Sequence, residues 1–174
     1  MLLGMEIVVA VVFFVNKFFL LVDRKDGWLW GAVGCLLAIV YFYLIHLFVY
    51  MVMDVGLVIL MTYGYLKKDA KRPMVELTIQ ITSAVVMIIM AYCAFNGMLT
   101  VLELVSAMGM LIGTYLLSHE KVRIGWILYA ITGVLAVFVC IEKYQQVLVV
   151  FQICQVVFAL FAIFGEQRKS SPSM

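Results

Sequence analysis

The sequence predicts an all-α integral membrane protein in which seven helices cross the bilayer. Of its 174 residues, 67% are hydrophobic and 13% are charged, and the mean hydropathy is +1.16. Soluble globular chains average roughly 45–50% apolar and 25% charged residues. Apolar runs of about 20 residues, the length that crosses a bilayer as a helix, recur along the whole chain. Because little sequence remains for a soluble part, residues 1–169 are predicted to form a single transmembrane domain, followed by a disordered tail over 170–174.

The apolar runs, divided at the charges between them, give seven spans. They cover residues 3–22, 28–45, 47–66, 75–95, 98–118, 124–141 and 145–165. The first span has neither a basic N-terminal region nor a small-residue cleavage site, which argues against a signal peptide. Only the segment Leu44–Leu47 separates the second span from the third. We divide them there because a single helix from Trp28 to Leu66 would be nearly twice as long as the bilayer is thick.

The later spans are bounded by polar or charged segments. The fourth span follows the linker-like stretch Lys67–Pro73, and the fifth follows Asn96. Lys121 and Arg123 precede the sixth span, and Lys143 precedes the seventh. Each boundary is uncertain by several residues, because a long apolar helix can tilt or kink within the bilayer.

Basic residues orient the predicted bundle. With seven spans, ten of them fall on one side of the membrane, and Lys143 alone among the loop residues falls on the other. These ten are Arg24, Lys25, Lys67, Lys68, Lys71, Arg72, Lys121, Arg123, Arg168 and Lys169. Since basic loops stay in the cytoplasm, the N-terminus is predicted outside and the C-terminus inside, in a multi-pass plasma (inner) membrane protein.

An internal repeat divides the chain. The stretch LLVDRKDGW, Leu20–Trp28, has a looser copy in LLSHEKVRIGW, Leu116–Trp126. Asp54 precedes a Tyr-Gly pair by nine positions, and Gln155 precedes a Phe-Gly pair by nine. The repeat predicts three-helix units over 1–66 and 98–168, with a linker helix over 75–95 between them. In this 3+1+3 order both units cross the membrane in the same direction, so they are parallel repeats related by an axis along the membrane normal.

The sequence offers no motif that indicates catalysis, a cofactor or a metal. It contains no P-loop, GxGxxG, GxSxG or HExxH string, which favours a protein that is not an enzyme. The cysteines lack metal-site spacing and are interpreted as buried small hydrophobic residues; they are Cys35, Cys93, Cys140 and Cys154. The expected partners are the lipid bilayer and a small-molecule substrate, with no nucleic acid. Whether the chain forms a homo-oligomer stays open.

Polar residues within the spans are the candidate site. A carboxylate such as Asp54 costs at least about 2.5–3.5 kcal/mol in the bilayer, so it is expected to face the bundle interior. Gln155 and Gln152 lie one turn apart in the seventh span. The alternatives are a ligand or proton site, a hydrogen bond between helices, and for Asp54 a pair with Lys17. Lys17 itself is expected to reach the cytoplasmic interface along its flexible stem, and Glu103 is expected near an outer vestibule.

Aromatic residues suggest what the site would bind. Most of them are expected at the membrane interfaces, but Tyr50, Trp126 and Tyr129 are candidates for stacking on a planar substrate. An aromatic box with one deep carboxylate at Asp54 would suit a flat cation through stacking, cation–π attraction and charge pairing.

Two segments resemble the PnuC family of nicotinamide riboside transporters. WLWGAVG from Trp28, LFVYMVMDVG and MTYGYLKK are similar to the first half of that family, and SHEKVRIGWILYAITG is similar to its second half. The resemblance covers roughly 15–66 and 110–168. It implies seven helices in 3+1+3 order, related to the SWEET sugar transporters, and transport without a cofactor.

Departures from the family pattern fall at positions expected to read the substrate. Asp54 stands where the family has Gln, Gly34 and Gly133 stand where it usually has Asn, and Tyr65 and Tyr129 replace Trp. The resemblance therefore implies a facilitator for a planar vitamin-like or nucleoside-like molecule, such as nicotinamide riboside or a relative. A SWEET-like carrier of another small solute and a non-transporting scaffold or partner subunit remain alternatives.

Overall fold

The computed structural model describes residues 2–22, 26–66, 73–119 and 121–170, and these residues form seven helices. They are α1 (Leu2–Leu21), α2 (Asp26–Leu44), α3 (Phe48–Leu66), α4 (Pro73–Cys93), α5 (Met98–Ser118), α6 (Val122–Glu142) and α7 (Gln146–Ser170). Each predicted span matches one helix, and the all-α class is confirmed. The largest difference is at the end of α7, which reaches Ser170 instead of residue 165.

Some sequence predictions fall outside the described residues. Residues 171–174 of the predicted tail do so, while Ser170, also predicted to be disordered, is the last residue of α7. The basic residues Arg24, Lys25, Lys67, Lys68, Lys71 and Arg72 are outside the description as well. The side chains of Arg168 and Lys169 are also outside the description. The orientation of the termini therefore remains a prediction from sequence.

The helices have the length and surface of membrane spans. Within the described residues, six helices are long and apolar enough to cross a bilayer, and α3 is apolar over Phe48–Tyr63. Large apolar side chains are exposed along the outward faces, among them Val11, Phe18, Ile131 and Val150. Such a surface is stable in hydrocarbon and not in water, so the chain is a multi-pass membrane protein. Of the four cysteines, Cys93 is exposed and Cys154 is partly exposed, so the prediction that all are buried is wrong for those two.

Six helices form a closed ring, with α4 outside it. Each helix packs against the next in sequence, and two further contacts, α1 with α7 and α3 with α5, join the ends of the two three-helix units. The linker helix α4 packs against α3 and α5. Exchanging α1, α2 and α3 for α5, α6 and α7 turns each ring contact into another ring contact, as a pseudo-twofold axis requires.

The glycines of the two matching motifs lie at equivalent helix contacts. A Cβ atom on Gly27 would lie 3.0 Å from the backbone nitrogen of Leu20, and one on Gly125 would lie 3.1 Å from the carbonyl oxygen of Gly113. Backbone atoms cannot move aside as a flexible side chain can, so α1–α2 and α5–α6 approach closely only where glycine is present. The Gly-Trp pair that both motifs contain therefore reflects the same close packing of the first helix of each unit against the second.

Two equivalent turns fix the register of the repeats. His46 and Tyr144, whose numbers differ by 98, both have positive φ, at 58° and 56°. The next residue in each turn bonds back to the end of the preceding helix, Leu47 N–H to Phe42 O and Gln145 N–H to Cys140 O, both at 2.9 Å. This is a Schellman-type helix ending. The same offset places Asp54 opposite Gln152, so the pairing of Asp54 with Gln155 predicted from the repeat is wrong by one helical turn.

Two glutamates join the units at the end of the ring where these turns lie. Glu6 of α1 accepts a hydrogen bond from the backbone N–H of Leu148 at 3.0 Å. Glu103 of α5 accepts from the N–H groups of Val49 and Tyr50 at 2.9 and 3.0 Å. The first N–H groups of a helix have no partner within it and lie at the positive end of its dipole. Each buried carboxylate thus caps the third helix of the opposite unit, and the two caps are equivalent by the pseudo-twofold axis.

We expect Glu103→Ala to lower the free energy of unfolding by about 1–2 kcal/mol, because two helix N–H groups lose their acceptor. Glu103→Gln keeps one side-chain oxygen and should lose less. Thermal or denaturant unfolding in detergent micelles measures both. Val105→Ala, a lipid-facing change on the same helix, is the control. A loss after Glu103→Ala no greater than that after Val105→Ala would contradict a stabilising cap.

Candidate functional site

A cavity lies in the centre of the ring, between the two units. All six ring helices contribute to its lining, with Asn16 and Lys17 from α1, Cys35 from α2, Asp54 from α3, Met110 from α5, Tyr129 from α6 and Gln152 and Gln155 from α7. Its volume is about 60 Å³, which is room for a few water molecules. Pockets for small organic ligands usually measure at least about 300 Å³. A solute could therefore occupy this site only if the units moved apart.

The cavity contains polar atoms that lack a partner. Among the described residues, the buried side-chain nitrogen and oxygen atoms without a hydrogen bond are Asn16 Oδ1, Asp54 Oδ1 and Oδ2, Gln152 Oε1 and Gln155 Nε2. All belong to residues that line the cavity. An unsatisfied buried polar group costs about 1–3 kcal/mol. Such a cluster is therefore expected where water or a ligand supplies the missing hydrogen bonds.

Asp54 is the acid of this cluster, and only 1% of its surface is exposed. It lies one helical turn after Tyr50, whose backbone N–H is bound by Glu103. This bond fixes the rotation of α3, and with that rotation the Asp54 carboxyl group lines the cavity. The Cys35 thiol lies next to this carboxyl group, and the positive charge of Lys17 interacts with it electrostatically. A thiol is only a weak hydrogen-bond donor, so the carboxyl group keeps capacity to accept hydrogen bonds.

Lys17 lies inside the site, and the prediction that it reaches the membrane interface is wrong. Its side chain is 5% exposed, and its Nζ atom lies 3.8 Å from the centre of the Tyr129 ring. A cation over an aromatic face is attracted by the negative charge of that face. Because the interior of the ring offers both this face and the Asp54 carboxyl group, the ammonium group has partners there without reaching the interface.

Two of the predicted aromatic residues line the cavity, and one does not. Tyr50 and Tyr129 are in the lining; their hydroxyl groups are held by Ser106, at 2.5 Å, and by Thr114. These bonds fix the ring orientations. Trp126 is buried one turn before Tyr129 and packs against it, with ring centres 5.9 Å apart, but it is absent from the lining. In this arrangement α6 directs Trp126 into the helix packing, so its contact with substrate stays a prediction from sequence without support from the cavity.

Several residues of the site were not predicted. Asn16 donates to the carbonyl oxygen of Gly27 at 2.7 Å, which leaves its Oδ1 directed to the cavity. Phe13, Phe42 and Phe151 add apolar ring surface, and nothing distinguishes them in sequence from the many lipid-facing phenylalanines. Glu6 had a detectable signal, since it stands 97 positions before Glu103 and each lies in the first helical turns of its unit.

Glu103 also borders a second, smaller polar cavity. This cavity measures about 30 Å³, and its lining includes His46, Asn96 and Lys143. It lies beside the turn between α2 and α3, at the end of the ring predicted to face outside. The main contacts of Glu103 are the two capping bonds, and its expected position in an outer vestibule stays a prediction because it depends on the orientation of the chain.

The fold has a relative among solved structures. No family model and no curated protein matches the sequence. A solved structure titled "Crystal structure of the Vitamin B3 transporter PnuC" matches with a TM-score of 0.70 and 14% sequence identity, over 97% of this chain and 83% of that one. The chain has the fold of that transporter. The resemblance to PnuC seen in the sequence is therefore confirmed for the fold, including the seven helices in 3+1+3 order.

We expect Lys17 and Tyr129 to be energetically coupled. A double-mutant cycle with Lys17→Met and Tyr129→Leu should give a coupling of about 0.5–2 kcal/mol in unfolding free energy, the range of cation–π pairs. A second cycle uses Tyr129→Phe, which keeps the ring and loses only the bond to Thr114. Because the ring still interacts with Lys17, the coupling in this cycle should be close to zero. Additive effects in the Leu cycle would contradict the contact.

Proposed function

We propose that this chain is a membrane transporter, a facilitator that carries a planar vitamin-like or nucleoside-like small molecule by alternating access between its two three-helix units. The observation that carries the proposal is the cluster of unpaired polar atoms on Asn16, Asp54, Gln152 and Gln155, in a cavity shared by both units. The fold it shares with a vitamin B3 transporter, at a TM-score of 0.70, supports the same class of activity.

The lining has the composition that a flat heterocycle requires. Aromatic rings from Phe42 and Phe151 offer stacking surfaces, and stacking on an aromatic side chain tolerates different ring types. Oxygen atoms of Asp54 and Gln152 accept hydrogen bonds, and Gln155 Nε2 donates one. A solute whose edge carries both donors and acceptors would satisfy these groups together. The carboxamide group of a nicotinamide compound is one such edge, because its oxygen accepts and its nitrogen donates hydrogen bonds.

The route into the cavity is proposed to open by separation of the units. In the present arrangement the Glu6 and Glu103 caps hold the units together at the end predicted to face outside. Loss of these contacts at one end, with packing kept at the other, would expose the cavity to one side at a time. The pseudo-twofold arrangement makes such a rocking motion geometrically simple, because both joints between the units, α1 with α7 and α3 with α5, are alike.

The scaffold alternative is less well supported. A scaffold would use Asp54 and Gln155 to bond neighbouring helices, with the interior filled. Gln80 illustrates that arrangement, since its Nε2 donates to the carbonyl oxygen of Leu111 at 3.1 Å between α4 and α5. Asp54 and Gln155 instead keep unpaired atoms beside an open space. A SWEET-like carrier of another small solute has no feature in its favour beyond the related fold.

Uptake of labelled vitamins and nucleosides into proteoliposomes tests the proposal. At least one planar heterocycle should enter faster than into empty vesicles. Asp54→Ala and Gln155→Leu should each reduce its initial rate by roughly tenfold, because a lost charged or buried hydrogen bond costs about 1–3 kcal/mol.

Gln80→Leu is the matched control, because it also removes a buried amide but lies outside the cavity. It should retain uptake once the amount of folded protein is equalised. If no planar heterocycle is taken up by folded wild-type protein, the transporter proposal fails and the scaffold is favoured. Equal losses for Gln155→Leu and Gln80→Leu would refute the assignment of the cavity as the binding site.

A further inference from the structure

The central cavity contains two side chains of opposite charge that do not neutralise each other by direct contact. The Nζ atom of Lys17 lies over the Tyr129 ring, while both Asp54 oxygens lack a hydrogen-bond partner. Both residues line the same space, and each is at least nine-tenths buried. The net charge of the cavity therefore depends on both side chains.

We infer that Lys17 sets the charge selectivity of this site, so that it accepts uncharged planar molecules and rejects their cationic counterparts. This inference rests on the proposed transport function and names the substrate class of the same cavity. It reverses the expectation that Asp54 and the aromatic rings form a site for a flat cation. Because nicotinamide riboside is itself a pyridinium cation, it also favours an uncharged relative over that molecule as the substrate.

Charge balance is the first step of the argument. With Lys17 protonated, the pair is neutral overall when Asp54 is ionised and carries one positive charge when Asp54 is protonated. In neither state does the cavity hold a net negative charge. A cationic solute would have to leave water without gaining a compensating charge, and burial of an unpaired charge is strongly unfavourable.

Geometry is the second step. The attractive position for a cationic ring or ammonium group in an aromatic box is over the face of an aromatic residue, within about 6 Å of its centre. Over Tyr129 that position is occupied by Lys17 Nζ, at 3.8 Å. A cation bound against this face would lie beside the ammonium group, and the two like charges would repel. An uncharged ring carries no such penalty and can use the donors and acceptors of Gln152, Gln155 and Asp54.

Matched pairs of probes test the inference. Nicotinamide and 1-methylnicotinamide share a ring but differ by one positive charge, and adenosine and 1-methyladenosine form a second such pair at neutral pH. Binding to the full-length protein in detergent, measured by calorimetry, gives a neutral-to-cation affinity ratio for each pair. The wild type should favour the neutral member. Lys17→Met should shift the ratio by at least roughly tenfold towards the cation, since it leaves Asp54 as the remaining charge. Lys17→Arg, which keeps the charge, should not.

A third variant separates charge from shape. Adding Asp54→Asn to Lys17→Met should abolish the gain in cation binding, because the carboxylate that attracts the cation is then gone. If the wild type binds neutral and cationic members equally, or if Lys17→Met leaves the ratio unchanged, the inference is overturned while the proposed function stands. If none of the four probes binds to any folded variant, the inference is overturned, while the proposed function is decided separately by the uptake experiment.

Discussion

Every polar group inside this ring of helices has to find its partner within the protein, because the hydrocarbon around it offers none. The two glutamates satisfy this requirement jointly with the helix starts that they cap. Glu6 and Glu103 gain N–H donors, and α7 and α3 gain acceptors for groups that a helix cannot satisfy itself. Because each bond crosses from one unit to the other, the same requirement also closes the ring. The cavity is the place where the requirement is left unmet, around Asp54 and Gln155.

The fold could be predicted because each transmembrane helix can be recognised from its own segment of sequence. Span length follows from bilayer thickness, and each helix matched an apolar run. The repeat register could not be read in the same way. The sequence comparison aligned the repeats at Tyr63-Gly64 and Phe164-Gly165. Those two pairs lie at different distances from the starts of α3 and α7, so they are not equivalent positions. The structural register is set at the opposite end, by the turns at His46 and Tyr144 and by the glutamate caps.

The site was predictable only in part, for a related reason. A deep carboxylate or amide must face inward, and this constraint correctly directed Asp54, Gln152 and Gln155 to the cavity. Lys17 has a long flexible stem, so its position depends on which face of α1 meets the ring, a tertiary fact that spacing does not contain. Trp126 is subject to the same limit, because its burial against Tyr129 follows from how α5 and α6 approach at Gly125.

The six helices of the ring follow the pseudo-twofold axis, but the side chains that line the cavity do not. The axis pairs Asp54 with Gln152, and by the offset of the turns it pairs Tyr129 with Gly31, so one side supplies a ring where the other has a glycine against which Met61 and Asn16 pack. Gly31 has no room for a side chain, since a Cβ atom there would lie 2.7 Å from Asn16 Nδ2. A solute of the proposed class lacks twofold symmetry, and a symmetric lining would offer it two equal and partly mismatched orientations. In the proposed transporter, breaking the symmetry only in the lining gives one preferred orientation, while the equivalent contacts between the units, which the proposed rocking motion needs, stay intact. The groups that bind the solute in such a transporter can change without altering the contacts that hold and move the units, and the polar residues of the cavity would then decide what it carries.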